Sequence, residues 1–142
     1  DAFNANPASM AGAIEVLVAA APIDGLGRIY QGRRVAVLGD MLELGSQELA
    51  LHRDIATYPG FTDIDVVHCV GDRMRALYEV LADHQRGEWH AKAGDMVARA
   101  HAIVDAGDVI LVKGSKGSHV SRVVDAIRKL GHAQAPDTQG NE

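Results

Sequence analysis

The stretch Arg33 to Gly45, RRVAVLGDMLELG, decides how the rest of the chain is read. Two arginines introduce the apolar run Val35 to Leu38, which stops at Gly39-Asp40 and reads as a short buried strand. A loop, MLELG, follows; then Ser46, Glu48 and Leu49 open a helix running through Leu51, Ile55 and Tyr58 to Pro59-Gly60. The unit recurs downstream. Ile64 to Val70 is a strand ending at Gly71, and Asp72 caps a helix with Met74, Leu77, Tyr78 and Leu81 on one face. Glu88 to His90 reads as a short strand, and Gly94-Asp95 opens a helix with Val97, Ala100, Ile103 and Val104 inward. Val109 to Val112 is the most apolar strand and runs straight into KGSKGS, residues 113–118. A last helix places Val120, Val123, Val124, Ile127 and Leu130 at helical spacing and stops at Gly131. Upstream of all this, Asn6 caps a helix that has Pro7 at its first position and Met10, Ile14, Leu17, Val18 and Ala21 along its length.

Strands alternating with helices, each strand apolar along its whole length, predict an α/β fold. The expected form is Rossmann-like and doubly wound, a mostly parallel sheet with helices on both faces. Residues 1–131 form one domain and residues 132–142 a flexible polar tail. Ligands of such sheets gather beyond the carboxyl ends of the strands, here the loops at 39–45, 71–72 and 113–118.

Composition narrows the class. A chain of 142 residues, 47% hydrophobic and 23% charged, is a soluble globular domain. A net charge of -5 with dispersed lysines and arginines argues against nucleic-acid binding. The single cysteine, Cys69, lies in an apolar run and indicates core packing in a reducing compartment. Neither a membrane span nor a secretion signal is visible, so a cytoplasmic protein is expected. The chain opens at Asp1 inside a polar motif without a preceding strand and reads as a fragment.

Chemistry concentrates in three places. The glycines of KGSKGS let backbone N–H groups converge, and Lys113, Lys116 and the hydroxyls of Ser115 and Ser118 add donors for an anion; the alternative is a tight turn with solvated lysines. No G-x-x-x-x-G-K-[ST] loop occurs. Past the first strand, Asp40 and Glu43 are placed to accept hydrogen bonds or a proton from an ammonium group, with His52 as a third candidate. Asp1, Asn4 and Asn6 form a polar cluster ahead of a helix, of which capping explains only Asn6. The other histidines show no metal-ligand spacing. On the residues alone, a receiver-like module with Asp40 or Asp72 as phosphoacceptor and a small-ligand-binding α/β module stay open.

Three segments carry a resemblance: DAFNANPASM at 1–10, RRVAVLGDMLELG at 33–45 with His52-Arg53 after it, and VILVKGSKGS at 109–118 followed by a helix. In wording and order they resemble the C-terminal domain of the Mur ligases. Within that family they are most similar to members that add D-alanyl-D-alanine to UDP-N-acetylmuramoyl-tripeptide. The resemblance implies the third domain of a cytoplasmic peptidoglycan-synthesis enzyme, inactive apart from its N-terminal and central domains. In that family ATP turns the substrate carboxylate into an acyl phosphate that the incoming amine attacks. ATP and Mg2+ would be held mainly by the central domain. Asp1 matches the aspartate that contacts the ATP ribose, with Asn4 and Asn6 beside it as cofactor-binding residues. Lys113, Ser115 and Lys116 match a loop that approaches the carboxylate of the incoming amino acid. Asp40 and Glu43 match a loop facing the reaction centre, where orienting or deprotonating the amine is the expected role. Phe3 stands where tyrosine is common, and Lys116 where arginine is common, which removes a bidentate fork.

Overall fold

Four strands form one sheet in the order β3-β2-β1-β4, every pairing parallel. They are β1 (Arg34–Gly39), β2 (Val66–Val70), β3 (Arg86–His90) and β4 (Val109–Lys113). The computed structural model describes residues 5–134. The register sets Val37 between His68 and Val112, so β2 and β1 lie at the middle of the sheet and β4, the most apolar strand, at its edge beside β1.

The alternation of side chains along each strand divides the core. One face carries Ala36, Leu38, Val67 and Cys69 against Met10, Ile14 and Leu17 of α1 (Pro7–Ala19), Met41, Ile55 and Leu77. Elements α2 (Glu48–Arg53) and α3 (Arg75–Tyr78) lie on this side. The other face carries Val37 and Val70 against α4 (Ala93–Val97), α5 (Ala100–Ile103) and α6 (Ser121–Gln134) through Met96, Ile103 and Val123, with Val120 just ahead of α6. The doubly wound, parallel α/β expectation holds. Cys69 is fully buried, and burial pushes its thiol above the ordinary range.

Helix α1 begins as expected. Asn6 Oδ1 accepts the Ser9 N–H at 2.9 Å while Ser9 Oγ accepts the Asn6 N–H at 3.0 Å, a reciprocal capping box behind Pro7. Other boundaries differ from the sequence reading. The expected helix from Ser46 to Tyr58 is broken into 3-10 turns at Gly45–Gln47 and Asp54–Thr57 around the short α2. The helix expected from Gly94 is split into α4 and α5. Helix α6 continues through Gly131, which has no neighbour demanding a left-handed turn, as far as Gln134; glycine inside a helix costs only about 1 kcal/mol. The tail expected at 132–142 lies largely outside the described residues. No helix among the described residues is long and apolar enough to cross a membrane.

Candidate functional site

The loops after β1 and β4 meet because two glycines let them. A Cβ at Gly114 would come 2.9 Å from the Gly39 Cα, and a Cβ at Gly39 would come 2.8 Å from Ser118 Oγ. Across this contact Ser115 acts as a clip. Its N–H donates to the Asp40 carbonyl at 2.9 Å, and its Oγ accepts the Leu42 N–H at 2.9 Å and donates to the Ala5 carbonyl at 3.4 Å. Ser118 Oγ in turn donates to the Ser115 carbonyl at 2.6 Å. The hydroxyl that the resemblance assigns to a substrate carboxylate could therefore serve one only by displacing Ala5. Lys113, at the end of β4, is buried, while Lys116 is exposed on the 3-10 turn Lys116–Ser118.

Asp40 is 6% exposed and faces the turn after β2 rather than open solvent. Its carboxylate accepts the Met74 N–H at 2.7 Å and the Arg73 N–H at 3.3 Å, and pairs with the Arg73 guanidinium at 3.3 Å. Met74 is the N-cap of α3 and has no side-chain cap bond of its own, so Asp40 fills the role expected of Asp72. Arg73 also donates from Nε to Glu48 at 2.7 Å, and this bond, with the one to Asp40, raises the affinity of its guanidinium for the proton. His52 is fully buried with both ring nitrogens engaged: Nε2 accepts the Met41 N–H at 3.0 Å, which leaves Nδ1–H to donate to the Glu48 carbonyl at 2.6 Å. That geometry ties the β1 loop to α2 and leaves no lone pair for an incoming proton, so His52 is a structural latch rather than the proton acceptor expected. Glu43 is exposed and sits in left-handed backbone at φ 64.

Beyond the strand ends lies an open cleft of about 390 Å³, between the turn 71–73, the start of α4 and the segment 117–122. Asp40 and Arg73, already paired, line it together with Asp72, Lys92, His119 and Arg122. His119 takes left-handed backbone at φ 61, and with Glu43 it is one of the non-glycine positive-φ residues among the described ones. Both occur in loops at the carboxyl ends of neighbouring strands, the usual place for strain that serves a site. The sequence reading did not single out Arg73, Lys92, His119 or Arg122; the available signal was Arg73 directly after the Gly71-Asp72 strand end.

Cofactor fit is limited. Asp1, matched to the ATP ribose contact, and Asn4 beside it lie outside the described residues, and the Asn6 side-chain oxygen is spent on its cap. Among the described residues no three His, Cys, Asp or Glu side chains converge as a metal would require.

Comparison with known proteins agrees with this fold. The family model described as Mur ligase, glutamate ligase domain matches residues 1–116. The UDP-N-acetylmuramoyl-tripeptide--D-alanyl-D-alanine ligase of Escherichia coli (strain K12) is 33% identical over 133 residues, covering 92% of this chain and 26% of that protein. The enzyme of the same description from Bacillus subtilis (strain 168) is 30% identical over 127 residues, 87% of this chain and 26% of that protein. Among solved structures, MurF ligase from Thermotoga maritima in complex with ADP superposes with a TM-score of 0.69 at 21% identity, over 95% of this chain and 28% of that one. A crystal structure of MurF from Acinetobacter baumannii gives 0.63 at 25% identity, over 91% and 26%. The chain spans about a quarter of the length of the curated relatives it matches. With most of its length matched by the family model and the same doubly wound sheet beneath it, the chain belongs to the Mur ligase family, as its glutamate ligase domain.

Proposed function

We propose that this chain is the C-terminal domain of an ATP-dependent amide-bond ligase that joins D-alanyl-D-alanine to UDP-N-acetylmuramoyl-tripeptide in the cytoplasm. The observation that supports it most is the agreement of relatives at 30% identity or more on this one activity, along nearly the whole chain. Activation of the carboxylate by ATP and Mg2+ is assigned to the parts of such an enzyme that this chain does not span. This domain presents the amine. Its cleft lies where the segments after all four parallel strands converge, and the network Asp40–Arg73–Glu48 holds one wall of it in place. Fixing an amine against an activated carboxylate is worth several kcal/mol of barrier. Closing over the reaction centre would also keep water from the acyl phosphate.

The test is a chimera in which this chain replaces the matching quarter of the Escherichia coli relative. The chimera is expected to form the amide when given D-alanyl-D-alanine, the tripeptide substrate and ATP, while the chain alone hydrolyses no ATP. A folded chimera without ligation, or ligation by the chain alone, would sink the reading.

A further inference from the structure

Strand β3 closes one edge of the sheet, and its ladder with β2 is interrupted. Val67 pairs with Arg86 and Cys69 with Trp89, so Gly87 and Glu88 both lie against His68. A side chain supplies the bond the ladder lacks there: His68 Nδ1 accepts the Glu88 N–H at 2.9 Å. Gly87 lets the ring come this close, since a Cβ on it would collide with His68 Nδ1. Because Nδ1 accepts, the neutral ring carries its proton on Nε2, an atom that is buried with no partner among the described residues. A second proton can go only on Nδ1, where it would confront the Glu88 N–H, donor against donor.

The described groups around the ring do not relieve that conflict. Glu88, whose carboxylate acts on the ring, is held by Arg99 Nη2 at 3.0 Å and by His90 Nε2 at 2.9 Å. Arg33, ahead of β1 and paired with Asp108, disfavours a positive ring, as does His90. The consequences run along β3 to the neighbouring turn. Trp89 Nε1–H donates to the Gly71 carbonyl at 2.7 Å, and the His90 carbonyl accepts the Gly71 N–H at 2.9 Å. Gly71 in turn packs against the Asp40 carboxylate and leads into Asp72 and Arg73, which line the cleft.

We propose that His68 is an acid-released catch: neutral, it fastens β3 to β2, and on taking a proton at Nδ1 it lets go of Glu88, so that β3 and the turn 71–73 loosen together. The direction agrees with the proton affinity of the ring, which burial above all lowers from a pKa of 6.5 to about 4. The docked strand therefore binds fewer protons than the released one, and acid favours release between those two values. Unlike acid unfolding of the whole domain, the catch opens one edge of the sheet and one wall of the cleft, and it stands whether or not the ligase reading does.

Amide exchange of the native 142-residue chain, 15N-labelled, tests it. Expressed as protection factors, which remove the intrinsic pH dependence, the Glu88 and Gly71 amides should open more readily at pH 6.5 than that of Val37 in the middle of β1. By about pH 5 both should lose about tenfold in protection. H68Q keeps an acceptor for the Glu88 N–H without a titrating ring and should hold both constant over that interval, whereas H90Q should show the same loss as the parent. Should H68Q not fold, the parent decides: the His68 ring 15N signals must move at the pH at which Glu88 loses protection. Glu88 protected as strongly as Val37, protection that stays level in the parent, an equal fall in H68Q, or a ring that titrates while Glu88 stays protected would overturn the catch.

Discussion

The Asp40 carboxylate at the end of β1 accepts the Met74 backbone N–H at 2.7 Å and so caps a helix that begins beyond the neighbouring strand. A residue whose position predicts amine chemistry is thereby a brace between two loops of the cleft. Asp40→Ala should lower stability by about 1–3 kcal/mol, because a buried N–H loses its acceptor and Arg73 loses one of its two carboxylates. Asp40→Asn keeps one acceptor oxygen and should lose less. Urea midpoints at constant m-value measure both, and equal stability of Asp40→Ala and the parent would contradict the bracing role.

His52 makes the same point for a histidine. With Nε2 accepting from Met41 and Nδ1–H donating to Glu48, the ring is a neutral spacer of fixed tautomer. His52→Leu should fill the space yet leave the Met41 N–H unpaired, at a cost of about 1–3 kcal/mol. Imidazole 15N shifts should show the proton on Nδ1. In the chimera, the pH profile of ligation should not change shape with this substitution, and a lost limb would restore His52 as a base.

Much of the fold was legible because β1, β2 and β4 are short apolar runs closed by glycine, and the helices carry their inward residues at regular spacing; β3, RGEWH, has neither mark. Breaks inside the helices at 46–58 and 94–104 were not, since they follow from packing against the sheet and leave no proline or glycine at the break itself. The candidate site was half legible. Strand ends gave the correct loops, but which side chains are spent on structure depends on partners far away in sequence: Asp40 on Arg73 and Met74, Ser115 on Leu42 and Ala5. Arg122 was hidden because on a helix it reads as one more solvated cation.

Two glycines in the loops after β1 and β2 should respond differently to the same change. At Gly71, φ is +111 and an added Cβ would run into the Asp40 carboxylate, so Gly71→Ala combines backbone strain with displacement of the helix cap. Gly45 has φ +77 with nothing within 4 Å, leaving only the strain. Gly45→Ala should cost about 1–2 kcal/mol and Gly71→Ala clearly more. Denaturation of both variants side by side checks the order, and the reverse order would show that Asp40 is free to move.

His68 should make the fold sensitive to mild acid. It sits in β2 at 5% exposure, its Nδ1 accepting the Glu88 N–H at 2.9 Å, and its Nε2 has no partner among the described residues. Burial lowers its pKa from 6.5 to about 4; the nearby Glu88 carboxylate opposes the shift, and Arg33 and His90 reinforce it. The folded state therefore holds fewer protons than the unfolded one between those values, and stability falls as pH drops through that window, by about 1.4 kcal/mol per pH unit for this one group. Glu88, lowered to about 2 chiefly by its hydrogen bond from Arg99, loses its contribution only below its unfolded value of 4.5, so pH 5–6.5 isolates the histidine. His68→Gln keeps an acceptor for the Glu88 N–H without a titrating ring. Its unfolding free energy should be flatter across pH 5–6.5 than that of the parent, and an unchanged slope would place the acid sensitivity elsewhere.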